Sequence, residues 1–553
     1  VVPQSTSPTN SVPEERKQGT AQKRYTRLAQ NREPYLTRAK KCSRYTIPTL
    51  IPENDNVEGQ DFPSLYQSVG ANGVTNLSSK LLMTMLPPNE PCFRLRVNNM
   101  ILAEEEEMYD KAFLTEIDKK LSRIEQTVLG DIEEKGDRSV VFEGNQHLIV
   151  SGNGLYHDDP EKGLRFFPLS RFVVDRDSAG NPVEIITKET VSIALLSEPM
   201  QELVLSLSSN KAPEGQSVIG DEEQKARLQE QETDIYTHLT REGDMWNIYQ
   251  EVVGYVVEGS VGSYRVDSCP WFPVRMYSVA GEAYGRSFVE LQLGDLTTLE
   301  SLNQAVSEGS SIAAYTIGLV NPNGVTSARA ITEARNGDFI EGRVEDVEFL
   351  QTKKATDINV AAQKAKEIEV TLKTSFLMMD GVRRDGERVT AEEIRTIARE
   401  LEAGLGGVYT LVSQEFQLPF IRSRMAHLTK ANKLPALPKG VVEPSVVTGF
   451  EALGRGNDKA KLVEFLQFVL QGTGGAGAQY LNVGTAIQRL ASSMGIPTEG
   501  LIKTDEELQQ EQQAAMQMQQ QAAQQELLGN VAPEVVRQVG NNISPEQIAQ
   551  LTG

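Results

Sequence analysis

Three cysteines and four histidines in 553 residues remove several chemistries at once. Cys42, Cys92 and Cys269 are too few and too scattered for a disulfide framework and lack the paired spacing of a zinc site; they read as small buried apolar residues. None of His147, His157, His238 and His427 has a partner at metal-ligand spacing. His157-Asp158-Asp159-Pro160 offers carboxylates to a cation but reads first as a polar turn. No Gly-x-x-x-x-Gly-Lys-Ser/Thr string occurs, and Gly472-Thr473-Gly474-Gly475-Ala476-Gly477, lacking the lysine, reads as a flexible loop rather than a phosphate cradle. A Gly-x-Ser-x-Gly elbow is also missing. The expectation is a protein that is not an enzyme and takes no cofactor or metal. Apolar runs fall short of the ~20 residues of a membrane span. No signal-peptide pattern opens the chain, so the protein is expected in a cytoplasm, with no membrane partner.

What is present is an acidic, soluble composition: 39% hydrophobic, 24% charged, net charge −21. The length allows about three compact units. Such a charge opposes non-specific nucleic-acid binding over most of the surface, so any DNA contact must be local. Against this background, Ser11 to Tyr45 holds ten Lys or Arg and three Glu. That basic segment suits a helix docking on an acidic neighbour subunit, with nucleic acid as the alternative.

Periodicity gives mixed secondary structure. Residues 64–86 and 104–135 read as helices, the second with Phe113, Ile117, Leu121, Ile124, Val128 and Ile132 on one face. Arg171 to Ile186 reads as a hairpin around a Gly-Asn turn, and strands are expected at 233–240, 245–257 and 272–278. Residues 208–232 are polar and read as a mobile loop or exposed helix. Two long helical patterns, 284–318 and 357–379, bracket about forty residues of strand and turn character. This is a small module on two legs, whose uncovered apolar surface calls for lateral packing in an oligomer.

The most punctuated stretch lies just beyond the second leg. Thr390 is a natural N-cap, Glu393 three residues on can close a capping box, and Ile394, Ile397, Leu401, Leu405, Val408, Val412 and Phe416 trace one buried stripe. Gly404, Gly406 and Gly407 predict a bend or break in that helix. Val382-Arg383-Arg384-Asp385-Gly386-Glu387-Arg388, just upstream, has no apolar face and reads as an exposed loop. Residues 504–528, rich in Gln, form a low-complexity helix former, either a helical barrel or a mobile tail.

Several long strings occur in order: Arg32-Glu33-Pro34-Tyr35 through Tyr45-Thr46-Ile47-Pro48, Val69-Gly70-Ala71-Asn72-Gly73 with Asn76-Leu77-Ser78-Ser79-Lys80-Leu81, Tyr284-Gly285-Arg286-Ser287, Gly318-Leu319-Val320-Asn321-Pro322, Gly386 through Arg395, and Leu405-Gly406-Gly407-Val408-Tyr409. Together they resemble the portal, or head-to-tail connector, proteins of short-tailed podoviruses of the T-seven group. The resemblance implies an α+β, mainly helical portal fold assembling as a ring of about twelve subunits, a homo-oligomer at a capsid vertex of the virion. It would be put together in the host cytoplasm, with double-stranded DNA passing through. It further implies a terminase motor, a tail adaptor and tail tube, major capsid and scaffolding proteins and internal core proteins as partners.

On the same resemblance, residues 1–23 are a flexible tail, 24–283 a wing, 284–318 and 357–379 the stem helices and 319–356 the clip. Residues 380–389 are a channel loop, 390–430 a tunnel helix with its glycine bend, 431–454 a return to the wing, 455–503 a crown and 504–553 a Gln-rich helix or tail. Twelve copies would carry about −250 formal charges, which disfavours tight sticking of a duplex in the bore. Arg383, Arg384 and Arg388 would then either meet phosphates in the channel loop or pair with acids of the adjacent subunit, since Asp380, Asp385 and Glu387 offset them.

Overall fold

The computed structural model describes residues 18–53, 61–88, 92–97, 111–196, 200–201, 204, 231–314, 317–350, 355–378, 391–405, 407–435, 444–447, 463–469, 471, 484, 487 and 516–518. The chain divides into two compact units, Val1–Leu453 and Gly454–Gly553. In the second, the described residues are short helical pieces, the longest spanning 463–469.

The first unit begins with helix α1 (Ala21–Arg44), followed by α2 (Val69–Met85), strand β1 (Arg94–Val97), α3 (Lys111–Glu134) and α4 (Asp137–Ser151). The stripe expected of α3 is its buried face: Ile117, Leu121, Ile124, Val128 and Ile132 are all inside. Helix α4 is absent from the sequence reading. It is wrapped on several sides, with Val141, Asn145, His147, Leu148, Ile149 and Val150 buried, so it shows no single apolar stripe to read.

Strands β2 (Asn153–Asp159), β3 (Gly163–Phe167), β4 (Phe172–Arg176), β5 (Pro182–Ser192), β6 (Glu232–Glu242), β7 (Met245–Val252), β8 (Tyr255–Val256), β9 (Gly262–Arg265) and β10 (Trp271–Arg275) build two antiparallel sheets. One has the order β10-β2-β3. The other runs β4-β5-β6-β7-β8, with β9 also on β7. The β4–β5 turn closes on Asp177, whose carboxylate accepts from Ala179 N at 2.9 Å and Asn181 N at 2.8 Å. Alternation along the larger sheet sends Ile185, Leu239 and Trp246 into the main core. Val173, Ile186 and Tyr236 face the other way, onto Ala21, Tyr25 and Leu28 of α1.

Helix α5 (Phe288–Ala314) then leads to a small module of β11 (Ile317–Val320), α6 (Ala328–Glu333) and β12 (Val347–Leu350), and α7 (Ala355–Ser375) returns. β11 and β12 pair antiparallel. The Asp346 carboxylate ties the module's turn, accepting from Val325 N at 2.9 Å and Thr326 Oγ1 at 3.0 Å. Both legs are shorter than the periodicity suggests. Residues 284–287 hold an extended bridge, Tyr277 to Arg286, before α5 starts, and 317 already belongs to β11. The legs pack antiparallel, with the Phe288 and Phe376 rings 5.1 Å apart. At the Phe288–Phe376 end of the legs α2 passes so close that a Cβ on Gly73 would stand 2.5 Å from the Phe376 ring, which only glycine permits. Helices α8 (Ala391–Leu405), α9 (Val408–Val412) and α10 (Leu418–Lys430) and strand β13 (Pro444–Val447), paired with β1, complete the unit. Among the described residues no helix is long and apolar enough to cross a membrane.

Candidate channel segment and its anchors

The predicted site residues Arg383, Arg384, Arg388, Thr390 and Gly406 lie outside the described residues. So do Gly472–Gly477 and most of 208–232. Glu393 sits in the first turn of α8. That helix buries Leu401 and Leu405, and on its outer side Lys80 of α2 reaches Glu400 at 3.2 Å. Gly404 lies beside Leu377. Helix α8 stops at Leu405, and Gly407, with φ +86°, opens α9 from the left-handed region, which costs any residue with a Cβ about 1–2 kcal/mol.

From there the chain runs helical from Val408 to Lys430 through a π-turn, Ser413–Gln417. π-turns displace side chains from the regular helical register, and here the displaced group is a carboxylate. Glu415 accepts from the Arg275 backbone N–H at 2.8 Å and its Nε at 2.9 Å, and lies 3.4 Å from Arg176 Nη1. Burial lowers the Arg176 guanidinium to about 10, with Glu415 opposing that shift. Two neighbours reach α2: Gln417 Nε2 donates to Met85 O at 2.7 Å and Tyr409 Oη to Thr84 O at 3.3 Å.

One turn beyond Phe420, Arg424 is fully buried. Its guanidinium meets Asp158 at 2.7 Å, Asp131 at 2.8 Å and Asp137 at 2.8 Å. Ser423 Oγ donates to Asp158 at 2.9 Å, and His427 Nδ1 stands 3.3 Å from the same carboxylate. Burial pushes the Asp158 carboxyl up, but His427 and Arg424 together hold it below the usual range. For Asp137 burial wins over Arg424, and its carboxyl is raised. His157-Asp158-Asp159 is therefore the end of β2, not a polar turn. The partner that makes a buried aspartate affordable lies far along the chain, where local sequence gives no sign of it. The signal that could have found Arg424 is its spacing: Val412, Phe416, Phe420 and Arg424 succeed one another by four, so the charge falls on the apolar face.

Several arginines of the basic N-terminal segment find acceptors within their own chain. Arg24 pairs with Glu184 at 2.8 Å and Arg38 with Glu290 at 3.3 Å, and Arg32 donates to the Ser170 and Phe172 carbonyls at 2.9 Å. The start of α1 is capped by buried Glu251, which accepts from Ala21 N at 2.6 Å and Gln22 N at 3.1 Å. The cysteines are buried thiols, and burial pushes Cys42 up to about 11 and Cys92 and Cys269 to about 12. Among the described residues no group of three or more His, Cys, Asp or Glu could hold a metal ion.

The described residues thus form a mixed helix-and-sheet body, two antiparallel legs carrying a small module, and a long helix anchored by buried ion clusters. The model of the family "bacteriophage head to tail connecting protein" matches residues 18–502, and the chain belongs to that family. It is 38% identical over 493 residues to the portal protein of Escherichia phage T7, covering 88% of each chain. Identity to the portal protein of Enterobacteria phage T3 is also 38%, over 491 residues and again 88% of each. The portal protein of Enterobacteria phage SP6 is 28% identical, over 81% of this chain and 82% of that one. A solved chain from the neck of a native gene transfer agent particle, computed with C12 symmetry, aligns over 78% of this chain and 90% of that one. Its identity is 13% and its TM-score 0.33. The chain is thus a podovirus portal protein, of a structural rather than an enzymatic family.

Proposed function

We propose that this portal protein assembles as a ring, with twelve subunits as the expected number, at one capsid vertex. Double-stranded DNA is packaged and later ejected through its bore. The module between the legs is the clip, facing the terminase motor during packaging and the tail adaptor and tail tube afterwards. The body comprising α1 to β10 is the wing, bounded by capsid and scaffolding proteins. Residues 380–389 are the channel loop and α8 to α10 the tunnel helix. The observation that carries this reading is the exposure of the module: Phe339 is 104% exposed, Val344 94% and Val325 71%. Apolar side chains that far from any core, held on two legs, call for protein partners. Electron microscopy of the purified protein tests the ring: twelve-fold rings with a central hole are expected, and monomers at assembly concentrations would overturn it.

A further inference from the structure

Helix α7 ends in a closed turn, with Met378 N donating to Lys373 O at 2.7 Å and Leu377 N to Thr374 O at 3.0 Å. That pattern puts the residue after the cap in the left-handed region, where glycine is the usual occupant. Here it is Leu377, at φ +53°. A bulky side chain in that region is a genuine outlier. The Leu377 side chain reaches α8, where Gly404 leaves it room: an added Cβ would stand 3.1 Å from Leu377 Cδ2.

The same end of α7 is gripped from α2. Gly73, Asn76 and Lys80 stand three and four residues apart, on one line down that helix, and the line faces Phe376 and Leu377. Carbonyls in the last turn of a helix have no partner within it. Asn76 Nδ2 donates to Phe376 O at 3.1 Å and to Leu377 O at 3.2 Å, and Lys80 Nζ donates to Leu377 O at 3.0 Å. A cation is favoured there by the helix dipole.

Lys80 also reaches further than Asn76. Its ammonium meets Glu400 Oε2 of α8 at 3.2 Å, with the lysine side chain 19% exposed and the glutamate 45%. One side chain of α2 thus binds the end of α7 and the flank of α8 together. Residues 379–390 join these two elements in the chain, and they include Arg383, Arg384 and Arg388.

Resting on the channel reading above, we propose that Lys80 is a positioning residue for the channel segment. By bridging the Leu377 carbonyl and the Glu400 carboxylate it sets how the two elements that flank the segment stand to each other. Asn76 fixes the α7 end alone, so the two residues give different signatures when removed.

The test is amide hydrogen exchange of the full-length protein, read by mass spectrometry. Lys80→Met is expected to speed exchange in α8 about two- to five-fold, the factor an ion pair of this exposure supplies, with α4 and residues 408–430 unchanged. Asn76→Ala should speed exchange at the end of α7 and leave α8 as it is; Glu400→Ala should do the reverse. Lys80→Met with Glu400→Ala should exchange in α8 no faster than Lys80→Met alone, as expected for two partners in one contact. Unchanged α8 exchange, additive effects in the double variant, or acceleration spread over the whole chain would overturn the proposal. If Lys80→Met fails to fold, Glu400→Ala, at an exposed position, carries the test by the same criterion. Particles with intact rings carrying Lys80→Met are further expected to retain several-fold less genome on heating. Faster α8 exchange with normal packaging and retention would overturn the channel reading of these residues, whereas unchanged exchange overturns the Lys80 bridge and leaves that reading untouched.

Discussion

Replacing Arg424 with methionine tests the anchoring of the long helix most directly. The guanidinium is fully buried and holds three carboxylates at 2.7–2.8 Å. Methionine keeps a chain of similar reach against Phe420, whose ring the arginine covers at 5.1 Å, and removes only the charge and its donors. Asp131 is then left with Lys135 at 3.2 Å, Asp137 with the Leu164 N–H at 2.8 Å, and Asp158 with Ser423 and His427. Removing one member of a buried ion cluster costs about 3–5 kcal/mol, because the remaining charges lose their compensation without regaining water.

The pH dependence separates this cause from simple loss of packing. In the wild type Asp158 is held below its ordinary range, so its contribution is present above the unfolded pKa of about 4 and lost as pH falls through the folded value. Without Arg424, both Asp158 and Asp137 move upward, and each destabilises the fold at pH above its new value. The deficit of Arg424→Met is therefore largest near neutrality. It shrinks on acidification by about 1.4 kcal/mol per pH unit for each carboxylate that takes up a proton. Urea unfolding read by tryptophan fluorescence measures it: Trp271 is 7% exposed, and the preceding residue, Pro270, accepts a hydrogen bond from Asp158 N. A deficit below about 1 kcal/mol at pH 7, or one equal at pH 7 and pH 5, refutes the reasoning.

His147 is buried against Phe166, ring centroids 5.0 Å apart, and burial lowers it to about 4. The unfolded state then binds the extra proton between about pH 6.5 and 4, so wild-type stability falls with acid across that window, and His147→Leu should make the fall shallower by about 1.4 kcal/mol per pH unit; an unchanged slope in acid titrations followed by fluorescence would count against it. For the channel loop, we expect Arg383→Ala, Arg384→Ala and Arg388→Ala together to disturb genome packaging or retention in particles with intact rings. Normal packaging and retention in such particles would remove phosphate contact from the account and leave pairing with acids of the adjacent subunit.

How much was legible in the sequence depended on whether an element's partners were local. The stripe of α3, the Asp177 turn and the two legs each arise from spacing within one segment, and the structure places elements there. Helix α4 was missed because burial on several sides erases periodicity. Asp158 was misread because Arg424, 266 residues away, decides its environment. The intrachain partners of the basic segment, Glu184, Glu251 and Glu290, were not legible because nothing in its own composition points to them. At the candidate site, the glycines mark where α8 stops and α9 starts. Glu415 and Arg424, which anchor the helical run through α9 and α10, needed the three-dimensional neighbours to be seen.

Those anchors are distributed unevenly about Gly407. Upstream, the described part of α8 is held by two buried leucines and a partly exposed Lys80–Glu400 pair, of a kind worth about 1 kcal/mol or less. Downstream, α9 and α10 carry two buried ion clusters, two side-chain bonds to α2 backbone carbonyls, and Phe416 and Phe420 in the core. Shifting the downstream helix would separate buried charges at several kcal/mol each, whereas the left-handed glycine between the two halves can change its dihedrals at little cost. The run from Val408 to Lys430 is thus tied to the body on several sides, while one of the described contacts of α8, Thr410 Oγ1 to Glu402 at 3.1 Å, spans Gly407 itself.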